Sequence, residues 1–346
     1  MKGKSGFGLG CLTSFLILVG IAVVCNVCID DSDNTPEVSD GGGVSGKVET
    51  KLADAKPQPV AEPEEPPVSL EEALAELNGL VGLESVKAEV EKFARFVEIS
   101  QKRRAAGLKV APMSYHMVFT GNPGTGKTTV ARIMAKIYRA LGIVKKGHLV
   151  ETDRGGLIAG YSGQTAIKTG AVIDSAIDGV LFVDEAYALV NGPQDAYGQE
   201  AVATLLKRME DDRDRLVVIV AGYTKEMKGF LESNSGFQSR FNRYIKFPDY
   251  SARELAQIFR SMAQKNQYRL SDDVERWIDP AMGLWTRNRD RKFGNGRYVR
   301  NLFEKSVEHH AMRVSAIKDP TTNDLMTITM KDVGIVLKDT GASDED

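Results

Sequence analysis

The feature that most constrains the fold is a glycine-rich segment that begins at Gly121. It reads Gly-Asn-Pro-Gly-Thr-Gly-Lys-Thr and matches the pattern G-x-x-x-x-G-K-[ST] at every fixed position. An apolar run over residues 117–120 precedes it, and apolar side chains recur at helical spacing after it. In this strand–loop–helix context, the glycines let backbone amides wrap closely around phosphate at a helix N-terminus. The sequence therefore predicts a P-loop nucleotide-binding fold rather than an ordinary glycine-rich turn.

This loop is expected to bind ATP together with Mg²⁺. Lys127 is expected to neutralise β- and γ-phosphate oxygens, and the Thr128 hydroxyl is expected to be a Mg²⁺ ligand. The other nucleotide-binding residues predicted in the loop are Gly121, Asn122, Pro123, Gly124, Thr125, Gly126 and Thr129.

A second motif follows farther along the chain, where an apolar run over residues 180–183 ends in Asp184 and Glu185. Asp184 is expected to bind Mg²⁺, and Glu185 is expected to act as general base on the attacking water. Such a run is common by chance, and its specificity comes from the complete phosphate loop that precedes it. The second carboxylate favours an ATPase, because a single Asp would fit a switch GTPase equally well.

Five short apolar runs predict the strands of an α/β domain. Helical patterns separate most of them, and this alternation indicates a parallel sheet covered by helices on both faces. The runs are residues 117–120, 149–152, 180–183, 216–221 and 244–247.

The domain boundaries follow from helix signals on either side of these strands. Capping boxes at Ser69 and Ser251 predict two helix starts, and apolar spacing predicts another helix over residues 84–106. The signals after residue 248 are mostly helical. We therefore expect an ATPase domain over residues 69–248 and a helical lid domain with a C-terminal tail over residues 249–346.

The N-terminal region has a different character. Residues 9–29 form an apolar run without a charge, and as a helix they would rise roughly 31 Å, enough to cross a bilayer. A transmembrane anchor is predicted, with a cleaved signal peptide as the alternative. Residues 30–68 are rich in Asp, Glu, Pro and Gly and predict a disordered linker. The need for ATP places the ATPase domain on the cytoplasmic side, although Lys2 and Lys4 would favour the opposite orientation.

Charge and cysteine content exclude some classes of protein. The formal net charge is −2, which argues against a dedicated nucleic-acid binder. The three cysteines are Cys11, Cys25 and Cys28, so the rest of the chain is not a disulfide-stapled fold. Cys25 and Cys28 have C-x-x-C spacing but no second ligand pair, and no metal site is expected there.

Further stretches resemble the CbxX/CfqX-type AAA+ ATPases, the family that includes the red-type Rubisco activases. The resemblance runs from about Asn78 to Arg313. It implies an AAA+ fold with a five-stranded parallel sheet and a helical lid, assembled as a homo-hexamer that acts on a protein client. The predicted anchor favours a membrane-proximal client over Rubisco. The stretches are residues 79–87, 182–189, 198–201, 218–223, 239–241, 247–250 and 294–301.

The resemblance also implies roles for individual arginines. Arg240, with Arg243 as the alternative, resembles the arginine finger that reaches the γ-phosphate of the neighbouring subunit. Arg297, with Arg300 as the alternative, resembles sensor 2, which folds from the lid onto the phosphates of its own site. Gly294 and Gly296 are expected to give that lid helix a sharp start.

The resemblance also bears on three further places in the chain, which would contact the adenine, grip the client and orient the attacking water. Residues 80–83, with Val81 and Gly82, would contact the adenine, although core packing explains this apolar turn equally well. Tyr161 lies in the loop that, by resemblance, faces a central pore and grips an extended peptide. Many AAA+ proteins carry Asn or Thr at the end of the fourth strand to orient the water. Here the strand ends Ala-Gly-Tyr-Thr at Thr224, and the residue that acts there stays open.

The leading interpretation is a Mg²⁺-dependent ring ATPase that remodels or threads a protein client. A nucleic-acid motor or clamp-loader-like ATPase is one alternative, and low net charge and the Tyr161 loop count against it. An ATP-gated assembly scaffold is the other. The complete set of Lys127, Glu185, Arg240 and Arg297 counts against a scaffold.

Overall fold

The computed structural model describes residues 68–339 except 112, 162, 193 and 288–292. The predicted membrane span over residues 9–29 lies outside the described residues, as does the predicted linker except for its last residue. In the part of the chain that is described, no helix combines the length and apolar character needed to cross a membrane.

The central sheet has five parallel strands. The strands are β1 (Met117–Gly121), β2 (Leu149–Thr152), β3 (Gly179–Val183), β4 (Leu216–Gly222) and β5 (Arg243–Phe247). Their order across the sheet is β2-β3-β4-β1-β5. Each strand was predicted to within one residue at either end, so the predicted parallel sheet is confirmed.

Helices cover both faces of this sheet. Met117 and Phe119 of β1 belong to one buried apolar cluster and Val118 belongs to the other, as the alternation of side chains along a strand requires. A 3₁₀ turn, Ala186–Leu189, follows β3. The helices are α1 (Leu70–Asn78), α2 (Glu84–Ala105), α3 (Lys127–Ala140), α4 (Arg154–Leu157), α5 (Thr165–Ser175), α6 (Ala196–Asp211), α7 (Thr224–Glu232) and α8 (Ser235–Arg240).

Both predicted capping boxes are present. The Ser69 hydroxyl accepts a hydrogen bond from the Glu72 amide, and the Glu72 carboxylate accepts one from the Ser69 amide. Ser251 and Glu254 make the same reciprocal pair. These pairs satisfy amides that the first helical turn leaves without partners.

The C-terminal lid is helical, as predicted, and it belongs to the same structural unit as the sheet. It also contains a small parallel sheet of β6 (Arg269–Leu270) and β7 (Thr327–Ile328), which was not predicted because two-residue strands show no alternation. The lid helices are α9 (Ala252–Lys265), α10 (Asp272–Arg287), α11 (Asn295–Ser315), α12 (Thr322–Met326) and α13 (Met330–Asp339).

Candidate active site

The predicted catalytic motifs meet at one edge of the sheet. Strands β3, β4 and β1 are neighbours and parallel, so their carboxyl ends lie side by side. The phosphate loop follows β1, the two carboxylates Asp184 and Glu185 follow β3, and Tyr223 follows β4. Ligands of open α/β sheets bind in the crevice at this edge.

A cleft of about 340 Å³ lies at this edge, between the sheet and the lid. Its walls include Lys127 and Thr128 from the phosphate loop and both carboxylates after β3. Its lid-side lining consists of Ile258, Ser261, Met262 and Lys265 from α9 and Gly296, Arg297 and Arg300 from α11.

The phosphate loop turns through two left-handed glycines, Gly124 (φ 68°) and Gly126 (φ 92°). A side chain at Gly124 would also collide with the lid, because its Cβ would lie 2.0 Å from the Gly294 carbonyl oxygen. Glycine is therefore required at position 124 both for the turn and for the close approach of α11.

The Lys127 ammonium group is buried within the loop and donates to the carbonyl oxygens of Gly121 and Asn122, at 2.9 Å each. Burial lowers its pKa, Asp184 opposes that shift, and the positive charge of Arg297 adds to it. An ammonium group has three donors, and two of them hold Lys127 against the loop. The third donor remains for a phosphate oxygen.

The remaining predicted loop residues divide into two groups. Pro123, Gly124, Gly126 and Thr129 line the cleft together with Lys127 and Thr128. Gly121, Asn122 and Thr125 are not among the lining residues of the described cleft. Thr125 donates to the Asn122 carbonyl oxygen at 2.8 Å, and the Asn122 amide donates to both carboxylate oxygens of Asp249. These contacts support the loop from behind.

Asp184 and Glu185 follow a sharp turn of the backbone. Glu185 has φ 47° and ψ 41°, a left-handed conformation that costs a non-glycine residue roughly 1–2 kcal/mol. The Asp184 carboxylate accepts a hydrogen bond from the Glu185 amide at 3.0 Å. This turn leaves both carboxylates on the wall of the cleft.

The oxygen atoms of the cleft suit Mg²⁺. Thr128 and Asp184 both line it, and Mg²⁺ prefers such oxygen ligands and needs only one or two from protein when nucleotide phosphates supply others. Among the described residues, no group of three or more His, Cys, Asp or Glu side chains is arranged to hold a metal without such help.

The lid is joined to the phosphate loop through the start of α11. The Gly296 amide donates to the Gly124 carbonyl oxygen at 3.0 Å. The fully buried Asn295 side chain donates to the Pro123 carbonyl oxygen and to Asp249, and it accepts from the Tyr250 amide. This buried network sets the position from which α11 presents its arginines to the cleft.

The reason for the two glycines near this helix start differs from the expected one. The residue with left-handed backbone is Asn295 (φ 45°), whereas Gly294 has φ −78°. A Cβ at Gly296 would lie 2.9 Å from the Gly124 carbonyl oxygen. Close packing against the phosphate loop, rather than a sharp turn, therefore requires glycine at position 296.

Arg297 and Arg300 both line the cleft. The charge of Arg297 lowers the pKa of Lys127 and opposes the rise in the pKa of Tyr223. These effects indicate that the Arg297 guanidinium is close to the phosphate end of the cleft, and they favour Arg297 over Arg300 as the phosphate contact.

At the other end of the cleft, only part of the predicted adenine-binding segment lines the wall. Leu80, Val81 and Leu83 line the cleft, but Gly82 is not among the described lining residues. Gly82 has φ 61°, and a Cβ there would lie 2.1 Å from a carboxylate oxygen of Glu254. Its role is to allow this close contact with the lid.

Neither candidate finger lines the cleft of its own subunit in the described structure. The Arg243 guanidinium lies over the rings of Phe93 and Phe96, at 4.8 and 5.6 Å from their centroids. Arg240, at the end of α8, is 25% exposed and makes a 3.4 Å ion pair with Glu210. Its Nε is buried without a hydrogen-bond partner in the described residues. Arg240 also donates to the Gly236 carbonyl oxygen and the Ser239 hydroxyl, at 3.3 and 3.4 Å. Its polar contacts are all long, whereas Arg243 is packed on two aromatic rings, so Arg240 is the better candidate for a finger.

Tyr161 lies well outside the cleft, in the segment between α4 and α5, and is 74% exposed. The Lys168 ammonium group anchors the start of this segment by donating to the carbonyl oxygens of Gly155 and Ile158. A large aromatic side chain on such an anchored segment is available to an external partner.

Three features of the cleft were missed from the sequence. Tyr187 follows Glu185 on the 3₁₀ turn, and its ring stacks on Tyr223 with centroids 5.6 Å apart. Asn295 fixes the lid, and Ile258 of α9 forms part of the adenine end. The sequence shows both tyrosines, in Glu-Ala-Tyr and Ala-Gly-Tyr. Their contact arises only because β3 and β4 are neighbours in the sheet, which the sequence does not reveal.

Comparison with known protein families identifies both parts of the described structure. Residues 117–249 match the ATPase family associated with various cellular activities (AAA), and residues 251–343 match the AAA lid domain. The crystallised FIGL-1 AAA domain in complex with ADP is similar in fold, with a TM-score of 0.52 and 16% identity over 78% of this chain and 85% of that chain.

Sequence relatives are closer. Stage V sporulation protein K of Bacillus subtilis is 42% identical over 275 residues, which cover 79% of this chain and 85% of the relative. ESX-3 secretion system protein EccA3 of Mycolicibacterium smegmatis is 48% identical, and ESX-1 secretion system protein EccA1 of Mycobacterium tuberculosis is 46% identical. The matches cover 76% and 74% of this chain but only 45% and 46% of those relatives. With its phosphate loop, paired carboxylates and lid, the chain belongs to the AAA family and is an ATPase.

Proposed function

We propose that this chain is a Mg²⁺-dependent, membrane-tethered ring ATPase of the CbxX/CfqX type that remodels or threads a protein client. The observation that carries the proposal is the distribution of charged groups around the cleft. Lys127, Asp184, Glu185 and Arg297 line the cleft, whereas Arg240 lies outside it. A cleft that lacks its finger is the arrangement expected of a subunit completed by its neighbour.

Each of these groups has a defined task in hydrolysis. Thr128 and Asp184 would hold Mg²⁺, which when bound would neutralise developing charge on the phosphates. Lys127 donates to phosphate oxygens, and Glu185 accepts a proton from the attacking water. The water oxygen bonds to the γ-phosphorus as the bond from that phosphorus to the β–γ bridging oxygen breaks. Arg297 stabilises the negative charge from the lid of the same subunit.

The finger supports assembly into a closed ring, for which a homo-hexamer is proposed. Arg240 has a 3.4 Å ion pair with Glu210, donates to the Gly236 carbonyl oxygen and the Ser239 hydroxyl at 3.3 and 3.4 Å, and has an Nε without a partner among the described residues. All of these contacts are long, so a phosphate oxygen of an adjacent subunit would be a stronger partner. A finger of this kind contributes ~10³–10⁵ to the rate in well-studied phosphoryl-transfer enzymes.

The exposed Tyr161 supports a protein client, because an aromatic ring offers a large contact area with little sequence preference. The names of the EccA relatives associate those proteins with secretion systems, which favours a protein-directed activity. Tethering through residues 9–29, with the ATPase domain on the cytoplasmic side, is proposed from the apolar run alone. No nucleic-acid partner is proposed.

The Glu185→Gln variant tests the hydrolytic part. We expect ATP to bind with near-wild-type affinity while the rate falls roughly 10²–10⁴-fold, because shape and phosphate contacts survive while the base is lost. Glu232→Gln, on the exposed end of α7, is the matched control and should hydrolyse ATP normally. A Glu185→Gln variant with the wild-type rate would show that another group is the base.

The same variant tests the client, because an ATP-bound ring that does not turn over should retain it. Affinity capture with Glu185→Gln is compared with capture by Glu185→Gln combined with Tyr161→Ala. We expect a protein retained by the first and lost from the second. Equal recovery from both would contradict the role of Tyr161, and recovery of nucleic acid would favour the motor alternative.

Membrane tethering is tested separately by fractionation and by protease treatment of intact cells. The full chain should sediment with membranes and resist protease added from outside. Recovery in the soluble fraction would contradict the tether, and digestion of the ATPase domain from outside would contradict the cytoplasmic orientation.

A further inference from the structure

Strand β4 ends in Ala221 and Gly222, followed by Tyr223, so the place where many AAA+ proteins carry Asn or Thr holds a tyrosine. Gly222 and Tyr223 both line the cleft, next to Asp184 and Glu185. The β4 strand lies between β3 and β1, so its end faces the space between the general base and the phosphate loop.

A second tyrosine packs against the first. Tyr187 stacks on Tyr223 with an interplanar angle of 29°, and the Glu185 carboxylate is close enough to its phenol to raise the pKa of that phenol. A Cβ at Gly222 would lie 2.7 Å from Cδ1 of Tyr187, so glycine at position 222 gives the ring room against β4. The Tyr187 ring is thus held between the base and the end of the neighbouring strand.

Both phenols remain donors at neutral pH. Burial raises the pKa of Tyr187, and the negative charge of Glu185 raises it further. Burial also raises the pKa of Tyr223, with Glu185 and Asp184 adding to the shift and Arg297 opposing it. Tyr223 is therefore within the electrostatic reach of the groups expected to surround a γ-phosphate.

We propose that the stacked Tyr187–Tyr223 pair does the work of the Asn or Thr found at this strand end in many AAA+ proteins. Tyr187, two residues after Glu185 and fixed by its stack on Tyr223, is a positioning residue whose hydroxyl would donate to the Glu185 carboxylate and orient it in its left-handed turn. Tyr223 donates a hydrogen bond to the terminal phosphate of ATP. The assignment rests on Glu185 being the general base, as proposed above.

The chemistry of the two groups fits these roles. Glu185 must accept a proton from water, and a donor to one carboxylate oxygen fixes the direction of the other without removing its capacity to accept. Tyr223 offers a neutral donor to an anionic oxygen, and such charge-assisted hydrogen bonds are stronger than neutral ones. Because ADP lacks the terminal phosphate, Tyr223 would distinguish ATP from ADP.

Tyr187→Phe tests the positioning role, because it removes the hydroxyl and keeps the ring and its stack. We expect kcat to fall roughly tenfold or more, while KM and ADP affinity stay within about twofold. In the Glu185→Gln background the same substitution should leave the residual rate unchanged, because its partner is already absent. Two results would overturn the positioning role. One is a wild-type kcat for Tyr187→Phe. The other is a fall in rate on adding Tyr187→Phe to Glu185→Gln that is as large as its fall in the wild-type background.

Tyr223→Phe tests the phosphate contact without relying on turnover. In the Glu185→Gln background, fluorescence titration should show ATP affinity reduced roughly tenfold with ADP affinity unchanged, because a hydrogen bond to a charged group is lost. If the substitution left the affinity for ATP unchanged, as well as the affinity for ADP, the proposed phosphate contact would be overturned. This measurement also stands if Tyr187→Phe fails to fold.

Two control tyrosines separate these effects from the general cost of removing a hydroxyl. Tyr138→Phe removes a buried hydroxyl that donates to the Tyr115 carbonyl oxygen, and Tyr244→Phe removes an exposed one on β5. Neither should change kcat or the preference for ATP. A normal rate in Glu185→Gln would contradict the proposed function itself, whereas an inactive Glu185→Gln with a fully active Tyr187→Phe would contradict only this inference.

Discussion

Arg297 and Arg240 were both predicted to contact phosphate groups, but the two side chains have different surroundings in the structure. Arg297 enters the cleft from a lid whose helix start is bonded to the phosphate loop, through Gly296 and Asn295. Arg240 lies at the end of α8, outside its own cleft, with a 3.4 Å ion pair to Glu210. Arg297 lines the cleft of its own chain, whereas Arg240 lies outside it and, in the proposed ring, would serve a neighbouring subunit.

This difference suggests how the site responds to its surroundings. Groups fixed by the buried network around Asn295 are in place in an isolated subunit and can bind nucleotide there. If the remaining cation is supplied only on assembly, as proposed, binding and hydrolysis should separate experimentally. Single substitutions of these groups can test that separation.

Arg240→Ala should abolish most hydrolysis and leave nucleotide binding intact. We expect kcat to fall ~10³–10⁵-fold, with ATP and ADP affinities near wild type because every cleft-lining group survives. Steady-state kinetics and nucleotide titration at high protein concentration measure the two effects. Arg243→Ala is the comparison, and it should mainly lower stability, because it removes a cation that packs on Phe93 and Phe96. An equal rate loss in both variants would remove the distinction between them.

Arg297→Ala should affect binding as well as hydrolysis. A lost hydrogen bond to a charged phosphate corresponds to roughly 10–100-fold weaker ATP binding. Titration of the variant should show this weakening even in dilute protein, because the contact lies within one subunit. Arg300→Ala should have the smaller effect. Unchanged ATP affinity in Arg297→Ala, together with a loss in Arg300→Ala, would reverse the assignment of the two arginines.

Asn295→Ala should loosen the lid. It leaves buried partners unsatisfied and places alanine in a left-handed conformation, so the free energy of unfolding should fall by roughly 2–4 kcal/mol. Asn295→Gly tolerates the φ of 45° and should lose less, although the same hydrogen bonds are removed. Denaturant unfolding measures both. An equal loss in the two variants would show that backbone conformation contributes nothing at this position.

The region of Arg240 should also depend on pH through His116. This buried imidazole accepts a hydrogen bond from the Val218 amide and contacts Phe241, the residue after Arg240. Burial lowers its pKa to about 4, with the Arg240 charge adding to the shift and a hydrogen bond to the Met209 backbone opposing it. The unfolded chain therefore takes up a proton that the folded chain does not.

Because the folded pKa is depressed, this contribution to stability is present above about pH 6.5 and is lost as pH falls toward 4. The free energy of unfolding should fall by about 2 kcal/mol between pH 7 and pH 5 from this group. His116→Gln should remove this part of the pH dependence of the free energy of unfolding, as measured by denaturant unfolding at several pH values. Identical slopes in the two proteins would contradict the assignment.

The sequence predicted the strands and the P-loop fold well because their signals are local. The phosphate loop, the paired carboxylates and the capping boxes each lie within a few consecutive residues, and the five strands are short apolar runs. The contacts of Asn295 with Pro123 and of Tyr187 with Tyr223 join distant parts of the chain. The left-handed Glu185 and Asn295 have no glycine to mark them. Such features depend on strand order and lid packing, which one sequence does not specify.

The most direct test of a site completed by a neighbour is to mix two inactive variants. Arg240→Ala subunits have an intact base, and Glu185→Gln subunits have an intact finger. A mixed assembly contains interfaces where Arg240 of one subunit meets Glu185 of another, so the account predicts ATPase activity well above the sum of the separate variants. The gain should disappear on dilution to concentrations where light scattering shows only monomer. A mixture that never exceeds that sum, or a wild-type specific activity that stays constant down to the monomer, would contradict the account.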